Sequence, residues 1–549
     1  MAEHGRGGPL DRAGMPDVSR RQLLQGGAGA ALLGGLAACG GGGDSASGTS
    51  SSSASGAAAG TPVRGGNFRV GVTGGGAKDV FDGQNIITKP DQARLVSSFE
   101  TLLTYDPDYK IVTEGLAEEV TQDNPKQYTI RLRQGVEFHN GKTLTADDVL
   151  YSFRRMLDKD NGLTAFAALA SVDPDKVVKM DANTVRLGLK TADATIPDAL
   201  AAYTTGIVPE GYEGFKGDVA TQIGTGAYKL QSFTPGQRSV SVRNDNYWRT
   251  GEPYFDQVTI IDFPDATAQV NALLGGQVDA ITDLPAAQVA IAKANPGLAV
   301  LNSEVGGWLP LCMAVDMEPF NDPRVRKAMR LLVDRQAMVD QVLSGLGRVA
   351  NDLYSPFDAD FASELPQRTR DVEGAKALLR EAGKENLVVD LFTTPGSAGM
   401  VETATVFAAQ AKDAGVTVNV KNVPNYYGDQ YLKLAFSIDF WGTRNYLSQV
   451  AQGTVSTAPY NETHWPPKSG VGSDFEELYA QAVAATDPAE RSRIKKEMQR
   501  AEYEEGGYII PFFGNLVDAY STKVKGLRTS RGTLNLNSYG QGYRNIWFG

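Results

Sequence analysis

The chain has 549 residues, with 53 lysines and arginines against 64 aspartates and glutamates, a formal charge of −11, two cysteines and three histidines. Without a basic excess to neutralise phosphates, nucleic acid is excluded as a partner, and two cysteines cannot build a disulfide framework or a cysteine-based zinc cluster. About 490 residues follow the N-terminal segment, and at roughly 150 per domain they predict two or three domains with large cores.

Ser19-Arg20-Arg21-Gln22-Leu23-Leu24 places two adjacent arginines before an apolar run at 28–38, the pattern of a twin-arginine export signal. Leu36-Ala37-Ala38-Cys39 sets small residues before a cysteine and resembles a bacterial lipobox. That implies cleavage before Cys39 and a diacylglycerol on its sulfur. The apolar run is glycine-rich and much shorter than the roughly 20 residues of a membrane-spanning helix. Residues 1–38 are therefore expected to be a signal peptide, and residues 39–61 a lipidated tether. Positions 40–60 are almost wholly Gly, Ser and Ala, with Asp44 the only charge, and a random coil of that length reaches roughly 25 Å. Trimming adds one net negative charge and leaves Cys312 without a partner.

Strands and helices interleave through the body. Tyr128, Ile130 and Leu132 alternate with Thr129, Arg131 and Arg133, predicting a strand with one buried face. Thr145 with Asp148 three residues on predicts a helix start, with Val149, Phe153 and Met156 on its apolar side. Asn321 or Asp322 caps a second helix with Pro323 in its first turn and Val325, Met329, Leu332 and Val333 facing inward. Strand-like 388–392, helix-like 398–411 and strand-like 416–420 make a βαβ unit with a parallel pair. The fold class is α/β with mixed β-sheets.

Four blocks carry a specific resemblance. The stretch from Tyr128-Thr-Ile-Arg-Leu through Phe138-His139-Asn-Gly141 to Phe153 resembles the signature block of family 5 extracytoplasmic solute-binding proteins, the peptide and nickel-type receptors of ABC importers. Gly224-Thr-Gly-Ala-Tyr-Lys-Leu230, Asn244-Asp-Asn-Tyr-Trp248 and Pro319-Phe-Asn-Asp-Pro-Arg-Val-Arg-Lys-Ala328 are similar to three more blocks of that family, in the same order. Ala227 stands where the family usually has proline. The resemblance implies a two-lobed periplasmic-binding-protein fold (type II, large cluster, with an extra subdomain). One lobe would span 62–303, with a subdomain inserted near 82–223, and would be completed by 520–549. The other would span 304–519, joined by a hinge. It implies capture of an oligopeptide or peptide-like solute between the lobes, delivery to ABC permease subunits, a monomer held at the membrane by lipid, and no cofactor.

Most residues of these blocks read as scaffold: Gly135 and Gly141 suit turns around His139, and Arg324 and Arg326 suit ion pairs. Ligand contacts are expected instead from Asp439-Phe-Trp-Gly-Thr-Arg-Asn-Tyr446, which matches the place where the family lines its pocket with a tryptophan-glycine segment. Trp441 offers a large face with few torsions, and its change to Ala is expected to weaken binding with little loss of fold. Arg444 stands near the position where peptide-binding relatives place a carboxylate for the ligand's amino terminus. An arginine there would donate to a carboxylate, a phosphonate or a sugar hydroxyl and repel an ammonium group. Tyr446, Trp308, Tyr427 and Asn461 complete the expected ligand-binding set; no metal site is expected.

Catalysis is the rival class. The chain has no Gly-x-Ser-x-Gly elbow and no His-Glu-x-x-His. Gly71-Val-Thr-Gly-Gly-Gly-Ala-Lys78-Asp79 misses a phosphate loop by one position and carries Asp where Ser or Thr is required. Two alternatives to the peptide receptor stay open: the same scaffold tuned to an anionic sugar, an opine or a metal chelate, and a lipoprotein that senses or chaperones without transport.

Overall fold

Alternation and capping place the elements where the sequence pattern puts them. The computed structural model describes residues 60–549 apart from 396, 424, 425 and 429; the signal segment, Cys39 and tether residues 39–59 lie outside the described residues. In the strand Gln127–Leu132, Tyr128, Ile130 and Leu132 are buried while Arg131 is exposed. Helix Ala146–Leu157 follows Thr145, whose backbone N–H donates to Asp148 at 3.0 Å. Helix Pro323–Leu331 takes its cap from Asp322, which accepts the Arg324 N–H at 2.9 Å, and not from Asn321. Strands Val388–Thr393 and Thr417–Asn422 pair in parallel across helix Met400–Ala411, the expected βαβ unit.

Three main sheets organise the body. An eight-stranded mixed sheet runs in the order Leu298–Trp308, Phe512–Ser521, Ala280–Ile281, Asn67–Thr73, Gln257–Phe263, Arg238–Arg243 and Tyr228–Thr234, with Gly347–Val349 attached to Phe512–Ser521. A five-stranded sheet comprises Thr417–Asn422, Val388–Thr393, Phe436–Ile438, Leu311–Met313 and Tyr508–Ile509 in that order. A four-stranded antiparallel sheet, Ala117–Asn124, Gln127–Leu132, Thr184–Leu189 and Val172–Lys179, forms the additional layer beside the first. Each sheet has its own apolar core: Phe68, Val70, Tyr228 and Ile260 in the first, Leu311, Leu391 and Phe436 in the second, Ile130, Phe153 and Leu187 in the third. Two lobes result, one on the eight-stranded sheet with its four-stranded neighbour, the other on the five-stranded sheet.

The lobes are tied by the longest antiparallel pair. Leu298–Trp308 runs beside Phe512–Ser521 with a register shift between Ser303 and Gly307. Beyond it Trp308 forms an isolated bridge with Trp441. Trp308 and Phe513 pair at the end of these two strands.

The glycines of the blocks answer to local geometry. Gly135 and Gly141 adopt φ of +76° and +83° on either side of His139, a region that costs a side chain strain. A Cβ at Gly224 would stand 1.9 Å from the Ser98 carbonyl oxygen. His139 is half-buried there, with Nε2 3.0 Å from the Gly226 carbonyl, and desolvation lowers its pKa to about 4. It is a packed turn residue. The near-miss phosphate loop closes on its own aspartate: Asp79 accepts the Gly76 N–H at 3.0 Å and pairs with buried Arg94 at 3.2 Å.

Candidate ligand-binding site

A cavity of about 1360 Å3 lies between the lobes, larger than the roughly 300–1,000 Å3 of an ordinary small-molecule site. One lobe lines it with Glu100, Tyr105, Tyr109, Asp198 and Tyr203, the other with Thr443, Arg444, Asn445 and the face of helix Phe475–Ala484. The C-terminal segment adds Thr533, Gln541 and Arg544.

Hydrogen bonds close one part of the cleft. Tyr109 Oη donates to the Thr443 carbonyl at 2.9 Å, and Thr533 Oγ1 donates to the same oxygen at 3.0 Å. Asn445 Nδ2 donates to Asp198 Oδ1 at 2.6 Å, beside the Tyr105 hydroxyl at 2.8 Å. Burial raises the Asp198 carboxyl to about 6, against these two donors. Tyr105 and Tyr109 stack with ring centres 4.2 Å apart, so the contact surface from this lobe is a rigid aromatic pair.

Segment 441–446 is held from both directions. The Trp308 and Trp441 backbones exchange hydrogen bonds at 3.0 Å, the Gly306 N–H reaches Thr443 Oγ1 at 2.8 Å, and the Tyr446 N–H reaches Asp358 at 2.7 Å. Behind it the rings form a stacked column. Arg444 lies over Trp441 at 4.9 Å; Trp441 stacks on Trp308 at 6.1 Å, Trp308 on Tyr354 at 5.5 Å, and Tyr354 on Tyr446 at 5.4 Å, all within 17° of parallel. The column ends on Glu502, which accepts from Tyr354 at 2.5 Å and Tyr446 at 2.6 Å. Burial pushes Glu502 up to about 7.

Four of the six expected ligand-binding residues thus meet, but as a packed column with one end on the cavity. Arg444 lines the cavity. Trp308, Trp441 and Tyr446 are buried and outside its lining, and the Trp441 Nε1–H has no acceptor among the described residues. Asn461 also lies outside the lining; its amide donates to the carbonyls of Thr454 at 3.0 Å and Trp465 at 2.6 Å, fixing the loop. Tyr427 lies away from the cavity, 46% exposed, its hydroxyl on Asp439 at 3.0 Å. Asp439 is itself interior and shares its carboxylate with Tyr427, Tyr431 and the Phe440 N–H. The tryptophan-glycine segment by itself does not distinguish a pocket wall from a stack running into the lobe.

Two residues at the cavity carry no sequence signal of their own. Glu100 accepts from Thr225 at 2.9 Å, Tyr247 at 2.8 Å and Trp248 Nε1 at 2.9 Å. The second and third blocks of the resemblance thus converge on one carboxylate. Asp198 stands in the short helix Ile196–Ala201, where an acidic residue needs no explanation beyond the first turn.

Comparison with known proteins fits this architecture. Residues 112–460 match the model of the bacterial extracellular solute-binding proteins, family 5, and the chain belongs to that family. The glutathione-binding protein GsiB of Salmonella typhimurium is 25% identical over 468 residues, covering 82% of this chain and 89% of that protein. Two solved structures share the fold. The binding protein AgaA of A. tumefaciens R10, in complex with agropinic acid, superposes with a TM-score of 0.71 at 23% identity over 88% of this chain and 99% of its own. The oligopeptide-binding protein AppA of Bacillus subtilis, in complex with a nonapeptide, gives 0.70 at 22% identity over 89% and 100%.

Proposed function

We propose that the protein is the lipid-anchored, extracytoplasmic receptor of an ABC import system, taking a peptide-like solute into the cleft and delivering it to the membrane permease. The observation that carries this is the cavity of about 1360 Å3 lined from both lobes and flanked by hydrogen bonds that join them. Closure of two lobes is a population shift, so the solute must bind the closed form better than the open one. We place the lobe boundaries at 62–303 with 520–549, and at 304–519, so that both changes of lobe fall within the strand pair Leu298–Trp308 and Phe512–Ser521 of the eight-stranded sheet. The protein acts as a monomer without catalysis; its cavity carboxylates all accept from protein donors or face an arginine, which suits binding and leaves no poised acid–base pair.

The relatives support a peptide-like solute, since glutathione and a nonapeptide are both peptides. A non-peptide solute is the second reading, favoured by Arg444 in the cavity and by the opposite charge expected there for a peptide's amino terminus. Native mass spectrometry of the exported protein purified from its own cells tests the receptor reading. A bound small molecule supports it, and its mass decides between peptide and non-peptide. Protein that carries nothing and whose melting is unmoved by peptide, sugar and chelate panels overturns it.

A further inference from the structure

Four cationic side chains line the cavity: Lys126, Arg249, Arg444 and Arg544. Three are committed to the protein. Lys126 donates to the Lys190 carbonyl at 3.3 Å, Arg249 donates to the Glu114 carbonyl, and Arg544 pairs with Glu252 at 3.0 Å and bonds Gln541. Arg444 alone of these has no hydrogen bond or ion pair among the described residues; its guanidinium is held only by the Trp441 face at 4.9 Å.

The cavity carboxylates show the opposite pattern. Glu100 receives three donors, and Asp198 receives Tyr105 and Asn445. Asp193 receives Thr195 through N–H and hydroxyl at 2.8 and 2.6 Å, and Glu476 receives the Ser456 N–H at 2.6 Å. Glu114 faces Arg544 at 3.9 Å. Acceptors in the cleft are satisfied internally and one preoriented donor is not. A half-buried guanidinium left without a partner is costly, and it holds five N–H donors in a planar fork matched to an oxyanion. The aromatic face beneath it fixes its plane without using those donors.

We infer that the solute presents a carboxylate to Arg444, so that the polarity at this point of the cleft selects an anionic end and rejects a free amine. The inference rests on the receptor reading above and deepens it. Tyr109 and Tyr203 line the same cavity from the facing lobe; Tyr109 spends its proton on the Thr443 carbonyl at 2.9 Å, whereas Tyr203 Oη accepts from Gln92 at 3.3 Å and keeps its own proton to donate. The carboxylate is therefore approached from both lobes, and its bonds to the two sides are complete only when the cleft is closed.

The test uses the exported full chain and two random tripeptide pools of equal composition. One pool is acetylated at the amino end with a free carboxylate, the other amidated at the carboxyl end with a free amine. Retention is read by native mass spectrometry under competition. Wild type is expected to retain the acetylated pool by roughly 30-fold or more over the amidated one, the discrimination of a desolvated charge pair. Arg444→Gln removes that preference, Arg444→Lys keeps most of it, and Arg444→Asp reverses it, with melting curves checking that each variant is folded. Equal or better retention of the amidated pool, a preference unchanged in Arg444→Gln, or retention of neither pool overturns the inference. In the last case a different solute recovered from the purified protein leaves the receptor reading standing, whereas an empty protein deaf to every panel removes that reading first.

Discussion

Changing Trp441 to Ala should destabilise the lobe before it weakens the ligand. Its ring is 7% exposed, stacked on Trp308 and met edge-on by Tyr460 at 6.1 Å. It also packs so close to the helix Tyr446–Gly453 that a Cβ on Gly453 would stand 2.9 Å from it. Removing a buried tryptophan costs about 3–5 kcal/mol. Arg444, which lies over the ring, lines the cavity, so the space left by the ring can be partly refilled and the lower end, about 3 kcal/mol, is expected. With about 2.1 cal/mol/K of unfolding entropy per residue, a body of about 490 residues melting as one unit would lose about 3 °C, and a lobe of about 200 residues melting alone about 7 °C. Arg444→Gln, by contrast, forfeits a partly exposed cation–π contact of about 0.5–1 kcal/mol and should move melting by about 1 °C or less if the body melts as one unit, or about 1–2 °C if the lobe melts alone. Differential scanning calorimetry of both variants beside titration with a retained peptide separates the roles. A Trp441→Ala protein that melts within 1 °C of wild type yet binds roughly tenfold more weakly would refute the column and return the ring to the pocket wall.

Tyr446→Phe strips one donor from buried Glu502 and should cost about 1–3 kcal/mol of stability in denaturant titrations, with affinity for the retained peptide unchanged; a loss of affinity without destabilisation would contradict it. Asp198→Asn tests the lobe contact by pH. The folded carboxyl sits near 6, above its unfolded value, so the native state binds the proton more tightly. Wild type should therefore gain stability relative to the variant as pH falls from 7 through 6 towards 4, and lose it as pH rises. Parallel stability curves would show that Asp198 does not titrate in this window. Cys39→Ser should move the protein from the membrane to the soluble exported fraction, because the tether has no apolar anchor; persistence in membranes after a carbonate wash would exclude the lipid anchor.

The fold was legible where period and capping act locally. Tyr128, Ile130 and Leu132 show their buried face by alternation, Thr145 and Asp148 mark a helix start, and the parallel pair at 388–393 and 417–422 follows from strand–helix–strand spacing. Of the residues expected to bind ligand, only Arg444 lines the cavity. What defines the cavity is long-range: Asn445 meets Asp198 across 247 positions and Tyr109 meets Thr443 across 334, and nothing in either neighbourhood encodes the other. Glu100 left an indirect trace. Thr225, Tyr247 and Trp248 sit in blocks read as scaffold, yet their hydroxyl and indole donors converge on Glu100, an acceptor outside those blocks.

The placement of Arg444 explains how solute polarity can change on this scaffold without disturbing it. Trp441 is fixed by its backbone bridge to Trp308, Gly442 by a close approach to Thr533, and Thr443 by three hydrogen bonds. Asn445 is fixed by Asp198 and Tyr446 by Asp358 and Glu502. Arg444 is the one charged side chain in this run, and no polar group among the described residues engages it. A charge exchanged there leaves the restraints on its neighbours in place, so it alters which end of a solute is favoured while the lobe contacts that accompany closure persist. Those contacts are made by the protein alone and favour the closed form with or without solute; a solute that bonded Arg444 and the facing Tyr203 together would add to that bias. If the solute bonds Arg444 as inferred, the charge series at position 444 should shift the extent of ligand-induced closure in step with affinity.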